Sequence, residues 1–98
     1  MIIGGAGNDN IDGGAGVDTF NESTTGNDLT VTILGSNPGS ATGLGSDTLV
    51  NIENVYTGSG DDTVNVSDTA NNIIDVNTGN DTVNVIGALT SNTITINR

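Results

Sequence analysis

The 98-residue chain has no cysteine, no histidine and no lysine, and a single cation, Arg98, stands against twelve Asp and Glu. Each absence excludes a class of chemistry. Without Cys there is neither a disulfide framework nor a thiolate metal site, and without His a zinc or copper site loses its imidazole ligands. A formal net charge of −11 repels polyanions, so no nucleic-acid partner is expected. Acid–base catalysis is poorly supplied: Asp61 and Asp62 are adjacent, but no His, Cys or Lys stands ready to share a proton with them, and the chain is not expected to be an enzyme. No apolar run is long enough to cross a bilayer and no basic, apolar leader opens the sequence, so no membrane insertion is expected. Oxygen ligands remain. They suit hard cations, and a glycine-rich backbone suits the less demanding geometry of Ca²⁺ over that of Mg²⁺.

Large side chains are also scarce, Phe20 and Tyr56 being the only aromatics. The core must come from Val, Ile and Leu, which fall in short alternating runs such as TVNV (63–66), TVNVI (82–86) and TITI (93–96). Alternation of β-branched residues predicts strands and an all-β fold. At this length the chain is a single domain with a thin core.

The opening stretch repeats itself. Residues 4–12 (GGAGNDNID) and 13–21 (GGAGVDTFN) both fit Gly-Gly-x-Gly-x-Asp-x-U-x, with U a large apolar residue. TGSGDDTVN (57–65) fits with only its first Gly replaced, and VNTGNDTVN (76–84) keeps the fourth-position Gly, the Asp and the apolar residue. GLGSDTLV (43–50) keeps Gly45, Asp47 and Leu49, while TTGNDLTV (24–31) keeps Gly26 and Asp28 with the apolar position slipped by one. Two full repeats therefore occupy 1–21, degenerate coils and a connector 22–56, and further degenerate repeats 57–98.

Spacing adds to the matches. Asp9, Asp28 and Asp47 are 19 residues apart, as are Asp62 and Asp81, with a step of 15 between the two sets. With two nonapeptides per coil, these five fall on one edge of a stack of about five coils. Midway between them stand Asp18, Asn37, Asn54, Asn72 and Asn92. Stacked strands lie about 4.8 Å apart, and carboxylates at ~5 Å repel by about 3 kcal/mol at an effective dielectric near 20. An Asp column needs cations between its rungs, whereas amides donate to one neighbour and accept from the next. One edge is thus expected to be a metal ladder and the other, past Asp18, an amide ladder. Asp9 is expected to pair with Asp28. Asp18 meets only Asn37, where Pro38 is expected to break the strand.

Residues 4–21 resemble two consecutive repeats-in-toxin (hemolysin-type) calcium-binding repeats. The segment GLGSDTLVNIENVYTGSGDDTV (43–64) is similar to the connector between repeat blocks in large secreted bacterial proteins of that family. The resemblance implies a right-handed parallel β-roll whose glycine turns supply carbonyl oxygens and whose Asp supplies a carboxylate to Ca²⁺ shared between neighbouring coils. Carried onto this chain, the ligand positions are Gly4, Gly5, Gly7, Asp9, Gly13, Gly14, Gly16, Asp18, Gly26, Asp28, Asp47, Gly58, Gly60, Asp62, Gly79 and Asp81. Ile11, Phe20, Leu49, Val64, Ile74, Val83 and Ile94 take the inward apolar position. The resemblance further implies a secreted, extracellular module, exported by a type I route and folding outside the cell. Its partners would be calcium ions, neighbouring domains of a parent protein, or other copies stacked end to end. The chain reads as a piece of such a larger protein.

Two further features of the sequence bear on function. GDDTVNV and GNDTVNV set Thr63 beside Thr82 and Asn65 beside Asn84, with Thr48 expected one coil further on, a ladder suited to a regular polymer or to ice. Irregular coil lengths are expected to spoil its register. Glu53, in the IEN connector, reads as a solvated turn residue.

Overall fold

The computed structural model describes residues 1–35, 37–67, 71–86 and 94–97, with only the backbone of Ile94. The described residues form strands and turns and no helix. The strands are β1 (Asn10–Asp12), β2 (Thr19–Asn21), β3 (Thr30–Leu34), β4 (Asn37–Thr42), β5 (Ser46–Val50), β6 (Asn54–Tyr56), β7 (Thr63–Val66), β8 (Asn72–Asp75), β9 (Thr82–Val85) and β10 (Ile94–Asn97). One sheet has the order β1-β5-β4-β3-β7-β9 and the other β2-β6-β8-β10. All pairings are parallel except those of β4, which runs antiparallel to both β3 and β5.

Alternation decides which side chains go inside. In β7, Val64 and Val66 are buried while Thr63 and Asn65 face outward, as the two-residue period of a strand requires. The same rule buries Ile11, Phe20, Val31, Ile33, Leu49, Val55 and Ile74 in one apolar cluster to which both sheets contribute. Val83 packs against this cluster, partly buried. Met1–Ile3 adds a bridge at the edge of the smaller sheet, where Ile2 N–H donates to Thr19 O and Ile2 O accepts from Asn21 N–H.

The chain departs from the expected spacing between residues 30 and 50. Here β3, β4 and β5 form a meander within one sheet before the chain crosses to β6. The smaller sheet accordingly has four strands among the described residues, fewer than the expected five coils. Pro38 does not break the strand: it lies in β4, beside a register shift between Thr32 and Leu34, where a missing N–H costs no ladder bond. Asn37 consequently faces Leu34 across the meander and has no place beside Asp18.

The meander also resets the outer rows. Thr30, Thr63 and Thr82 are in register, as are Thr32, Asn65 and Asn84. Thr48 stands opposite Asn10 and Ser40 instead of continuing from Thr63. Because β4 carries Thr42 opposite Thr30 and Ser40 opposite Thr32, the polar rows run on through the irregular segment rather than losing register.

Leu49 is fully buried between the meander and the smaller sheet, whereas Val85 is exposed. Leu49→Ala should cost about 2–5 kcal/mol and Val85→Ala less than about 0.5 kcal/mol, both read from urea midpoints under conditions in which the wild-type chain is folded.

Candidate cation-binding edge

Parallel strands bring their preceding turns to a common edge, and at that edge the repeat Asp residues meet. Asp9 N–H donates to Asp47 Oδ1 (2.9 Å) and Asp62 N–H donates to Asp81 Oδ1 (2.8 Å). These two pairs follow from register, since Asn10 faces Thr48 and Thr63 faces Thr82. They are not joined into one column. Asp9 pairs with Asp47, not with Asp28, because β5 rather than β3 lies against β1.

Asp28 is displaced in a second way. Thr30 faces Thr63, so Leu29 stands level with Asp62 and Asp28 with Asp61. Leu29 N–H accordingly donates to Asp62 Oδ1 (2.8 Å), and Asp61 N–H to Asp28 Oδ1 (2.8 Å). The slipped apolar position in TTGNDLTV thus buries Leu29 in the Asp row and leaves Asp28 exposed.

Asp28, Asp47, Asp62 and Asp81 each spend one carboxylate oxygen on a backbone N–H. Other carboxylate oxygens are left over. Asp9 Oδ2, Asp18 Oδ2, Asp62 Oδ2 and Asp81 Oδ2 are all buried without a hydrogen-bond partner, a costly state for any charged oxygen. Asp62 is only 1 % exposed. Burial pushes its carboxyl above the ordinary carboxylate range; the Leu29 N–H opposes that, as does the nearby Thr57 hydroxyl, which is itself buried and outside hydrogen-bond geometry, and the charges of Asp81 and Asp28 add to it. Beside Asp81, a cavity of about 210 Å³ is lined by Val76, Val83 and Ile96.

The turns are built for close stacking. Gly45 has φ +99° and sits against the Gly7 carbonyl; Gly79 has φ +118° and sits against the Gly60 carbonyl. Both need the left-handed region and both lack room for a Cβ, so glycine is required twice over. Gly5, Gly7, Gly14 and Gly16 also have positive φ, whereas Gly58 and Gly60 are constrained by the carbonyls of Thr25 and Asn27. Gly13 is hemmed in by Asn51 O and Asp18. Gly26 meets only Ser59 Oγ at ordinary contact distance, so nothing in its surroundings demands glycine.

At the opposite edge Asp18 does not face Asn37. Its N–H donates to Glu53 Oε2 (2.8 Å), and its carbonyl accepts from Glu53 and Asn54 N–H. Glu53 is half-buried, not a solvated turn residue. Beyond it the amides link strands: Asn54 Oδ1 accepts from Ile73 N–H (2.9 Å), Asn54 Nδ2 donates to Thr19 Oγ1 (3.3 Å), and Asn72 Nδ2 donates to Glu53 O (2.6 Å). Asn92 lies outside the described residues.

Glu22 lies outside the repeat pattern and is not among the residues that the pattern points to. It is 4 % exposed and its Oε1 accepts from Gly5 N–H (2.7 Å). Strand parity was the available signal, since Glu22 follows Phe20 by two residues and so points the same way.

Buried acceptors without donors, beside glycine turns, fit a hard cation. Among the described residues, however, no group of three or more His, Cys, Asp or Glu is arranged to hold a metal ion, so backbone oxygens would have to complete any site. No protein-family model matches the chain, nor does any curated protein or solved structure.

The edges should respond oppositely to exchange of acid and amide. Asp62→Asn keeps an acceptor for Leu29 N–H and removes a buried charge, so in chelator near neutral pH it should retain more β structure by dichroism than the wild type. The wild-type chain should itself gain stability as pH falls through the raised Asp62 value toward the ordinary carboxylate range, because the protonated form is favoured in the fold, and Asp62→Asn should lose that component. Asn72→Asp removes the donor to Glu53 O and should destabilise by about 1–3 kcal/mol whether or not Ca²⁺ is present. Melting curves of the three proteins against pH and Ca²⁺ check all of this.

Proposed function

We propose that this chain is a calcium-binding β-roll module of a secreted bacterial protein, folded outside the cell when Ca²⁺ is abundant. The observation that carries the reading is the set of buried, donorless carboxylate oxygens at Asp9, Asp62 and Asp81, in a chain of net charge −11 with no cationic side chain among its described residues. The repeats at 4–21 and the stacked glycine turns support it. Asp9 with Asp47, and Asp62 with Asp81, would supply the carboxylates of two shared sites. Asp18 would contribute at the other edge, with Glu53 in the place of a repeat Asp.

Bound calcium supplies positive charge and nothing redox-active. The chain's residues do the rest: Asp carboxylates offer one oxygen outward from each ladder bond, glycines let neighbouring turns approach, and inward Val, Ile and Leu close the core. Extracellular modules commonly bind with dissociation constants of about 10⁻⁴–10⁻³ M, so millimolar Ca²⁺ contributes about 0.4–1.4 kcal/mol per site. Several sites acting together are needed to fold the chain. Such a module serves as a structural, calcium-dependent part of a larger protein and carries no catalysis of its own.

A second reading attaches to the outer face of the larger sheet. Thr30, Thr63 and Thr82 form one row and Thr32, Asn65 and Asn84 the next, and the second row is linked by Asn84 Nδ2 donating to Asn65 Oδ1 (2.9 Å) and Asn65 Nδ2 to Thr32 Oγ1 (3.2 Å). This uncharged, preordered field suits a repetitive neutral ligand such as a polymer or ice.

With excess chelator the far-ultraviolet dichroism should resemble coil, and millimolar Ca²⁺ should restore a β spectrum, with Mg²⁺ at equal concentration failing to do so. An unchanged β spectrum in chelator contradicts the reading.

A further inference from the structure

The first turn of the chain encloses two carboxylates from distant parts of the sequence. Asp47 Oδ2 and Glu22 Oε1 each lie 3.2 Å from the point where a Cβ on Gly4 would stand, with Ile11 Cδ1 at 3.3 Å from the same point. The two oxygens are therefore within twice that distance of each other, around a cradle that glycine leaves open. Both residues are out of water, Asp47 at 5 % and Glu22 at 4 % exposure. No cation offsets them among the described residues.

Hydrogen bonding fixes both side chains without neutralising either. Glu22 takes Gly5 N–H on Oε1, and Asp47 takes Asp9 N–H on Oδ1. Asp47 Oδ2 is aimed into the cradle, left over from that bond. Asp9, whose N–H makes the bond to Asp47, has its own Oδ2 buried without a donor. Two carboxylates held this close with no cationic side chain beside them among the described residues repel one another, and a cation between them turns that repulsion into attraction.

We propose that Glu22 and Asp47 hold one divalent, oxygen-seeking cation between them at the Gly4 turn, so that Glu22, which lies outside the Gly-Gly-x-Gly-x-Asp pattern, is a calcium ligand of the first site. This rests on the calcium reading above and extends it to a residue that the repeat pattern does not contain. It also gives Gly4 a role apart from backbone conformation, since a side chain there would occupy the space between the two oxygens. Glu22 ties the end of β2 to the turn before β1, so binding here would fasten the first turn to the smaller sheet.

The test is calcium titration by calorimetry on the whole chain, with dichroism in parallel, for the wild type, Glu22→Gln, Asp47→Asn, the double variant and Glu53→Gln. Gln at position 22 keeps the acceptor for Gly5 N–H and mimics a protonated acid. Expected is the loss of one ion from the stoichiometry in Glu22→Gln and in Asp47→Asn, with no further loss in the double variant, because both serve the same ion. Glu53→Gln should keep the first-site ion. Should Glu22→Gln prove unfolded without calcium, saturating Ca²⁺ with dichroism as readout still reports whether it folds with one ion fewer. Undiminished stoichiometry in Glu22→Gln, or losses that add in the double variant, overturns the assignment. More β structure in chelator with an unchanged calcium response does so too, by showing that Glu22 holds no ion. A wild-type chain that takes up no Ca²⁺ defeats the underlying calcium reading and this assignment with it, a result distinguishable from failure at Glu22 alone.

Discussion

Carboxylates buried at strand ends, with no cationic side chain among the described residues to neutralise them, constrain everything else in this structure. Asp47, Asp62 and Glu22 are nearly inaccessible, and each gives one oxygen to a backbone N–H from a neighbouring turn. Those bonds hold adjacent strands in register, so the charges cannot be moved out to solvent without loosening the edge. At ~5 Å and an effective dielectric near 20, two such groups repel by about 3 kcal/mol, against a net stability of only ~5–15 kcal/mol for a typical small domain. A core made of Val, Ile and Leu with one buried aromatic, Phe20, has little margin to absorb that. The fold and its counter-charge are therefore one problem.

The meander shapes how that problem is distributed. By inserting β3 and β4 between β5 and β7, the chain separates Asp9 and Asp47 from Asp62 and Asp81, with Leu29 taking the intervening place in the row. Two short acidic clusters at the same edge repel less than a continuous column of five. On the proposed reading they are two local cation sites rather than an unbroken ladder. The opposite edge carries Asp18 and Glu53 but beyond them avoids the difficulty by using amides, since Asn54 both donates and accepts across its neighbours. The charge pattern of the two edges is thus a consequence of which residue stands at the rung, Asp or Asn.

Much of this was legible in the sequence. Period-two alternation gave the strands and the inward positions Ile11, Phe20, Leu49, Val64 and Ile74, and the pairing of Thr63 with Thr82 and Asn65 with Asn84 followed from two near-identical segments 19 residues apart. Equal spacing misled where local geometry intervened. Asp9, Asp28 and Asp47 are evenly spaced, yet spacing alone cannot distinguish a crossing to the other sheet from a hairpin within the same one, and NPGSATGLG (37–45) makes a hairpin. Proline's missing N–H predicts a break at Pro38, but a bulge tolerates that lack. A lone Glu is ordinarily solvated, which is why Glu53 reads as a solvated turn residue and Glu22 draws no notice in the sequence; only the parity of Glu22 with Phe20, and the place of Glu53 just before β6, mark them as inward or edge positions.

The central claim is that the buried carboxylate oxygens at the turn edge are cation ligands. Crystals grown in millimolar Ca²⁺, with anomalous difference density measured at long wavelength, test it most directly. The account predicts peaks beside Asp62 Oδ2 and Asp81 Oδ2, and another in the cradle between Asp47 and Glu22 at Gly4. Crystals with well-ordered turns but no anomalous peaks at these oxygens, only water or a carboxyl–carboxyl hydrogen bond, would contradict it.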